Sequence, residues 1–207
     1  MIREHKHHKG YKLGLTGSIG MGKTTVSKVF ANAKIPVWNA DKVVEELYKK
    51  NATGYKIIES LVPEAIGTNS VDKRTLSAAI LKNKSLLKEI EERIHPLVKK
   101  SRDGFIDKYS SRPLIVFEIP LLYETKSDKW LDAVLVVTAP KRVQKARVMK
   151  REAMTKQKLD FLLSRQLNEN RRLSKADYII NTDVDINDLR AKVKEFIKKL
   201  EKNVCIS

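Results

Sequence analysis

Residues 17–24 combine glycines, one lysine and one hydroxyl side chain in a spacing suited to binding a polyphosphate. The segment matches the pattern G-x-x-x-x-G-K-[ST] at every defined position; it consists of Gly17, Ser18, Ile19, Gly20, Met21, Gly22, Lys23 and Thr24. Glycines let backbone N–H groups converge on phosphate oxygens without interference from a Cβ atom. Lys23 can reach the β- and γ-phosphates, and Thr24 can offer its hydroxyl to Mg²⁺. The motif therefore predicts a phosphate-binding loop (P-loop) for a nucleoside triphosphate.

Two carboxylates stand where they could complete this chemistry. Asp41 follows a short strand pattern, at the edge of a parallel sheet where ligands bind. It could accept the proton of an acceptor hydroxyl, or it could only cap the helix expected to begin at Lys42. Glu118 ends another strand pattern, where an acidic residue can orient Mg²⁺ through water. The alternative for Glu118 is a charge at a strand end without a ligand.

A basic stretch in the last third of the chain could close over phosphates. Arg147 and Arg151 are four residues apart, so one face of a helix carries both guanidinium groups. Their planar forks suit bidentate contacts to phosphate oxygens. A solvated basic helix face is the alternative interpretation.

The elements that must position these residues can be read from hydrophobic patterns. Apolar runs predict five short strands, at residues 11–15, 35–38, 114–119, 133–137 and 178–180. Helical patterns cover residues 24–33, 42–49, much of 51–111, 141–172 and 186–202. Strands that alternate with helices predict an α/β fold with a five-stranded parallel sheet flanked by helices.

The same patterns suggest the domain organisation. Residues 1–11 are interpreted as a disordered basic tail that carries His5, His7 and His8, and residues 12–207 as one P-loop domain. Within it, about 51–111 is the predicted helical substrate-binding insert. About 141–172 is the predicted basic lid with its following helix.

The composition excludes some classes of protein but does not decide between several kinds of anionic partner. Cys205 is the single cysteine among 207 residues, which excludes an internal disulfide framework. The net charge of +17 favours anionic partners, whether nucleic acid, anionic lipid or phosphorylated small molecules. No apolar run is long enough to span a bilayer, and the polar N-terminus lacks a secretory pattern, so we expect a cytoplasmic protein without membrane contact.

The type of nucleotide-using protein can be narrowed further. A guanine-specific switch protein should carry Asn-Lys-x-Asp, and residues 39–42 have a different order, Asn-Ala-Asp-Lys. A small chain with a helical insert and a basic helical segment fits a small-molecule kinase better than a motor. Aromatic residues make up only 6% of the chain, so a nucleic-acid-binding surface is not expected.

Several further stretches, in order along residues 12 to about 200, resemble the dephospho-coenzyme A kinase family. The loop with its flanks, Leu15 to Val26, is similar to the opening of that family. Asn39-Ala40-Asp41 resembles its Asp-Ala-Asp, and the other matching stretches are Ile94-His95-Pro96-Leu97-Val98, Pro120-Leu121-Leu122-Tyr123-Glu124, Gln144 with Arg147 and Arg151, and Gln166 with Ala176-Asp177-Tyr178-Ile179-Ile180-Asn181.

This resemblance implies transfer of the γ-phosphoryl group of ATP, with Mg²⁺, to the ribose 3′-hydroxyl of dephospho-CoA. It implies Asp41 as catalytic base, with Lys23 and Arg147 as further catalytic residues and Thr25 as an additional ATP-binding residue. Arg151 and His95 are the implied substrate contacts, although a structural role of His95 at a helix break is an equal alternative. Two positions depart from the family: Asn39 replaces the first aspartate, and Glu45 stands where many relatives carry a basic residue.

Two other hypotheses remain beside this one. The first is a nucleoside or nucleotide kinase of similar architecture, which the choice of acceptor would separate. The second is a basic nucleic-acid-binding protein that uses a nucleoside triphosphate as ligand, and its binding would weaken steeply with salt. The expected form is a monomer or a small homo-oligomer.

Overall fold

The computed structural model describes residues 10–151 and 154–205, with side chains up to residue 202. These residues form two compact units. The core unit comprises residues up to Trp38 and from Tyr109 onward, and the helical unit runs from Asn39 to Lys108. The predicted tail and its histidines fall largely on residues 1–9, outside the described part. Tyr11, the last residue assigned to that tail, instead begins the first strand, because its N–H donates to the carbonyl of Pro113 (2.8 Å).

A five-stranded parallel sheet forms the centre of the core unit, as predicted. Its strands are β1 (Tyr11–Thr16), β2 (Val37–Asn39), β3 (Leu114–Glu118), β4 (Ala133–Thr138) and β5 (Tyr178–Asn181). Their order is β2-β3-β1-β4-β5, so the strand that leads into the P-loop is central. β3 is buried along its whole length, and β4 along all but its last residue, which explains their continuous apolar sequences.

Helices cover this sheet through apolar stripes at helical spacing. α1 (Lys23–Asn32) buries Val26, Val29 and Phe30, and it packs on the last helix of the chain, α9 (Ile186–Cys205). α9 contributes the buried stripe Leu189, Val193, Ile197 and Leu200. The ring of Phe196 meets that of Phe30 edge-on, with 6.4 Å between the centroids. α1 begins at Lys23, so the last two residues of the P-loop motif, Lys23 and Thr24, form the start of this helix.

The described residues of the basic stretch predicted as lid and following helix form three helices. They are α6 (Lys141–Met149), α7 (Lys156–Ser164) and α8 (Glu169–Ser174). α6 follows β4, and α8 precedes β5.

The helical unit contains α2 (Ala40–Leu47), α3 (Thr53–Leu61), α4 (Lys73–Lys82) and α5 (Lys84–Lys108). Its separate hydrophobic core includes Tyr48, Ile58, Val62, Leu76, Ile90 and Ile94. The unit begins earlier than the predicted insert at about 51, because α2 packs on α3 and α5. Within the described part of the chain, no helix is both long and apolar enough to cross a membrane.

Candidate nucleotide-binding site

The P-loop has a backbone conformation that requires its glycines. Gly20 and Gly22 have φ angles of 78° and 88°, in the left-handed region that side chains disfavour. A Cβ at Gly20 would lie 2.5 Å from a methyl carbon of Val148, and one at Gly22 would lie 3.1 Å from the Thr182 hydroxyl. Neighbouring elements therefore approach the loop closely, and only glycine fits at these two positions.

Lys23 extends back across the loop that precedes it. Its ammonium group donates to the carbonyl oxygens of Gly17 (2.7 Å) and Ser18 (3.2 Å). The positive charge is thus held inside the curve of the loop, where an incoming polyphosphate would meet it.

The N-terminus of α1 adds a second source of positive potential. The N-cap residue is Gly22, and it supplies no side-chain hydrogen bond to the first turn. The N-terminal end of the helix dipole therefore faces the loop without a capping side chain. Thr24 is exposed in this first turn, and Thr25 is half-buried beside it.

The oxygen ligands expected for Mg²⁺ fit this edge of the sheet. Glu118 is only 4% exposed at the end of β3, and it pairs in register with Leu15, close before Gly17. With the exposed Thr24 hydroxyl, it supplies the hard oxygen donors that this cation prefers.

Two glutamines hold the first half of the loop from the side. Gln144 on α6 donates through Nε2 to the Ser18 hydroxyl (3.0 Å) and to the Ile19 carbonyl (2.8 Å). Gln166, between α7 and α8, accepts through Oε1 from the Ser18 hydroxyl and from the Ile19 N–H (3.3 Å). We call these two residues the glutamine pair.

Arg147 lies beside the second half of the loop. It donates to the Thr182 hydroxyl (2.8 Å) and to the Thr182 carbonyl (2.8 Å). The Thr182 hydroxyl donates to the carbonyl of Met21 (3.0 Å), and Thr182 is 1% exposed. Arg151, two residues after the end of α6, is exposed. The structure therefore brings Arg147 next to the loop.

A buried charge network fixes the segment that carries Gln166. Arg172 is 1% exposed; it donates to Glu169 Oε2 (2.6 Å) and lies 3.8 Å from Glu124 Oε1. Glu124 also accepts the Leu167 N–H, and Arg172 donates to the Leu167 carbonyl (2.8 Å). Glu169 in turn accepts from the hydroxyl of Thr138, at the end of β4 (2.8 Å). Arg172 is thus neither a lid cation nor part of a solvated face.

Tyr123 makes a further contact to this region from beside Glu124. Its hydroxyl donates to the Lys175 carbonyl (2.9 Å). Burial, followed by the charge of Asp177, raises the pKa of Tyr123, which keeps this donor protonated.

Asn39, and not Asp41, caps helix α2. The Asn39 side chain accepts a hydrogen bond from the Lys42 N–H (2.9 Å), and the helix begins at Ala40. The alternative in which Asp41 only caps a helix starting at Lys42 is therefore wrong, and the helix begins two residues earlier than expected. The Asn39 side chain reaches forward to the N–H of Lys42, and Asp41 is exposed in the first turn of the helix.

His95 and Glu45, which the sequence also singled out, both lie in the helical unit. His95 is exposed on α5, and this helix continues through Pro96 without ending. Glu45, the second departure from the family, pairs with Lys73 (2.9 Å). That surface pair offsets the unusual charge of Glu45 within the helical unit.

Sequence reasoning identified the loop itself but missed the roles of residues that hold it. Gln144 and Gln166 belonged to stretches that resemble the family, although amide side chains gave no signal of their own. Thr182 had no signal in the sequence. All three contact the loop from positions more than a hundred residues away in the chain.

Comparison with known proteins identifies the family of this chain. The family model for dephospho-CoA kinase matches residues 11–188. A protein named dephospho-CoA kinase from Jannaschia sp. (strain CCS1) is 43% identical over 190 residues, which are 92% of this chain and 97% of that relative.

Solved structures show the same fold. A crystal structure of TT1252 from Thermus thermophilus has a TM-score of 0.79 at 26% identity, covering 93% of this chain and 98% of that one. A dephospho-CoA kinase from Campylobacter jejuni has a TM-score of 0.69 at 23% identity, with the same coverage of 93% and 98%. Through its match to the family model and its close relatives, this chain belongs to the dephospho-CoA kinase family.

Proposed function

We propose that this protein transfers the γ-phosphoryl group of ATP to the ribose 3′-hydroxyl of dephospho-CoA, which gives coenzyme A and ADP. The observation that carries the proposal is a complete P-loop motif, with Gly20 and Gly22 in the left-handed region, within a chain that the family model matches over residues 11–188. The first half of the proposal, ATP binding, is supported by the loop geometry. The second half, the acceptor, is supported by family membership.

The P-loop residues Gly17 to Thr25 would bind the ATP phosphates. The Lys23 ammonium, now on the carbonyls of Gly17 and Ser18, would move to the β- and γ-phosphate oxygens, where charge redistributes during transfer. Mg²⁺ would be held by Thr24 directly and by Glu118 through water, and it would neutralise charge on the transferring group.

Asp41 is the proposed catalytic base. Its carboxylate is exposed in the first turn of α2, immediately after β2 along the chain. A carboxylate at this position can accept the proton of the ribose hydroxyl as the phosphoryl group arrives. Because Asn39 performs the capping, Asp41 is not needed for that structural role.

Arg147 is the proposed catalytic cation beside the phosphates. Its guanidinium lies on Thr182, the residue that borders Gly22 of the loop. An arginine there can stabilise the charge that develops in the transition state. Arg151 and His95, both exposed, are proposed contacts to dephospho-CoA.

The test is incubation with ATP, Mg²⁺ and dephospho-CoA, followed by mass spectrometry for coenzyme A. We expect coenzyme A to form, and Lys23→Ala to lower the rate by about 100-fold or more, because the phosphates lose their main cation. Lys28→Ala, an exposed lysine on α1, is the matched control.

Folded protein that binds ATP but makes no coenzyme A would contradict the proposed acceptor. Nucleosides and nucleotides, offered under the same conditions, would then test the alternative kinase activity. A cytoplasmic location is part of the proposal, since ATP and dephospho-CoA are intracellular metabolites. A monomer or small homo-oligomer, without bound nucleic acid, remains the prediction for the assembly.

A further inference from the structure

The glutamine pair forms a closed ring of hydrogen bonds with the P-loop. Nε2 of Gln144 donates to the Ser18 hydroxyl, which donates to Oε1 of Gln166, and that oxygen also accepts the Ile19 N–H. The ring closes where the Ile19 carbonyl accepts from Gln144. Both polar backbone groups of Ile19 are therefore used, and the Ser18 hydroxyl donates one hydrogen bond and accepts one.

The orientation of each amide group follows from its partners. A carbonyl can only accept, so the atom of Gln144 that faces Ile19 O must be the NH₂ group. A backbone N–H can only donate, so the atom of Gln166 that faces it must be the oxygen. The two glutamines therefore have opposite tasks: Gln144 donates to the loop, and Gln166 accepts from it.

Each glutamine is itself fixed by packing or charge. Gln144 is 9% exposed, and its helix α6 lies against Gly20 through Val148, which is fully buried. Gln166 directly precedes Leu167, whose N–H and carbonyl are both bound by the buried network of Glu124 and Arg172. The ring thus connects the loop to two anchored segments.

We propose that Gln144 and Gln166 are positioning residues for ATP, which hold Ser18 and Ile19 in the conformation that receives the phosphates. The inference rests on the proposed kinase function and goes beyond it, because neither residue belongs to the P-loop motif. A loop that lacked the ring would have to become ordered when ATP binds. The free-energy cost of that ordering would weaken ATP binding.

The matched substitutions Gln144→Glu and Gln166→Glu separate hydrogen bonding from charge. Both keep the size of the side chain and add one negative charge near the polyphosphate. A carboxylate at 166 still accepts from the Ile19 N–H and the Ser18 hydroxyl. A carboxylate at 144 cannot donate to the Ile19 carbonyl and faces it oxygen to oxygen. Gln157→Glu, at an exposed position on α7, is the control for added charge alone.

The experiment measures the Kd of ATP with Mg²⁺ by calorimetry on the full chain, without an acceptor, followed by the KM of each substrate. We expect Gln144→Glu to weaken ATP binding about tenfold or more beyond Gln166→Glu, since the half-buried carbonyl of Ile19 loses its donor and faces a carboxylate oxygen instead. Gln157→Glu should bind ATP as the unsubstituted chain does. The KM of dephospho-CoA should change by less than about twofold in all three variants, well below the expected change in the Kd of ATP for Gln144→Glu.

Equal ATP affinities for Gln144→Glu and Gln166→Glu would overturn the proposal, because charge alone would then explain both. If Gln144→Glu does not fold, Gln166→Met decides instead, because it removes the acceptor of the Ser18 hydroxyl and the Ile19 N–H without adding charge: about fivefold weaker ATP binding supports the ring, and unchanged affinity overturns it. The calorimetry uses ATP and Mg²⁺ without an acceptor. Absence of activity on dephospho-CoA would therefore refute the proposed acceptor without affecting this test.

Discussion

Asp41 and Asn39 divide two tasks between neighbouring side chains. The amide of Asn39 satisfies the first turn of α2, and the carboxylate of Asp41 stays exposed in that turn. An uncharged cap also leaves Asp41 without a second carboxylate two residues away. At the residue scale, the departure from the family's Asp-Ala-Asp therefore changes the cap and keeps the proposed base.

The substitution Asp41→Asn tests that division. We expect kcat to fall by about 10²–10⁴-fold, because an amide cannot accept the proton of the ribose hydroxyl. The Kd of ATP, measured by calorimetry, should remain unchanged.

Glu45→Gln is the control in the same helix, since it removes a carboxylate that pairs only at the surface with Lys73. Near-normal turnover of Asp41→Asn would remove Asp41 from the role of base and leave it as a surface residue of α2.

At the scale of elements, the segment from α7 to α8 depends on one buried cation. Arg172 lies between Glu124, which follows β3, and Glu169 at the start of α8. The exposed side-chain fraction is 2% for Arg172, but 21% and 25% for these carboxylates. Water can therefore partly solvate the carboxylates if the cation is lost, which limits the cost.

Arg172→Met should lower the free energy of unfolding by about 2–3 kcal/mol, less than a fully buried pair would lose. Chemical denaturation at neutral pH would measure it. Arg171→Ala, an exposed neighbour on the same helix, should change stability by less than about 0.5 kcal/mol. If the two variants unfold alike, the network does not stabilise the segment.

The sequence predicted some elements well and others poorly, for physical reasons. Buried strands such as β3 and β4 are recognisable because both of their faces need apolar side chains. The start of α2 was misplaced because Asn39 and Asp41 are both good N-cap residues, and only geometry decides between them. Gln144 and Gln166 were recognised only through the family resemblance, and their contacts to the loop could not be predicted, because these contacts depend on tertiary structure and not on local pattern.

At the scale of the whole molecule, tyrosines that are buried or half-buried link stability to alkaline pH. Burial raises the pKa of Tyr48 in the helical unit. In the core unit, burial and the neighbouring Tyr178 raise the pKa of Tyr11. The folded state therefore favours the neutral form of these side chains more strongly than the unfolded chain does. Their contribution is complete below the unfolded pKa and is lost as pH rises above it.

We expect the free energy of unfolding to fall as pH rises above about 10, where tyrosines of the unfolded chain ionise. Tyr48→Phe should make this fall less steep, because the residue can no longer ionise. Chemical denaturation of the unsubstituted chain and of Tyr48→Phe, each at pH 7 and at alkaline pH, would show how steeply the free energy of unfolding falls with pH in each protein. Identical slopes would show that Tyr48 does not contribute to the alkaline loss.

The long chain separation within the P-loop site has a consequence for synthesis on the ribosome. Gln166 lies 147 residues after Ile19, and Thr182 lies 161 residues after Met21. Chains emerge from the N-terminus onward, so the loop leaves the ribosome long before the side chains that hold it. A nascent chain that ends before Gln166 carries the complete motif without the contacts that shape it. The growing polypeptide can therefore complete the contacts that shape the loop only after Thr182 has emerged.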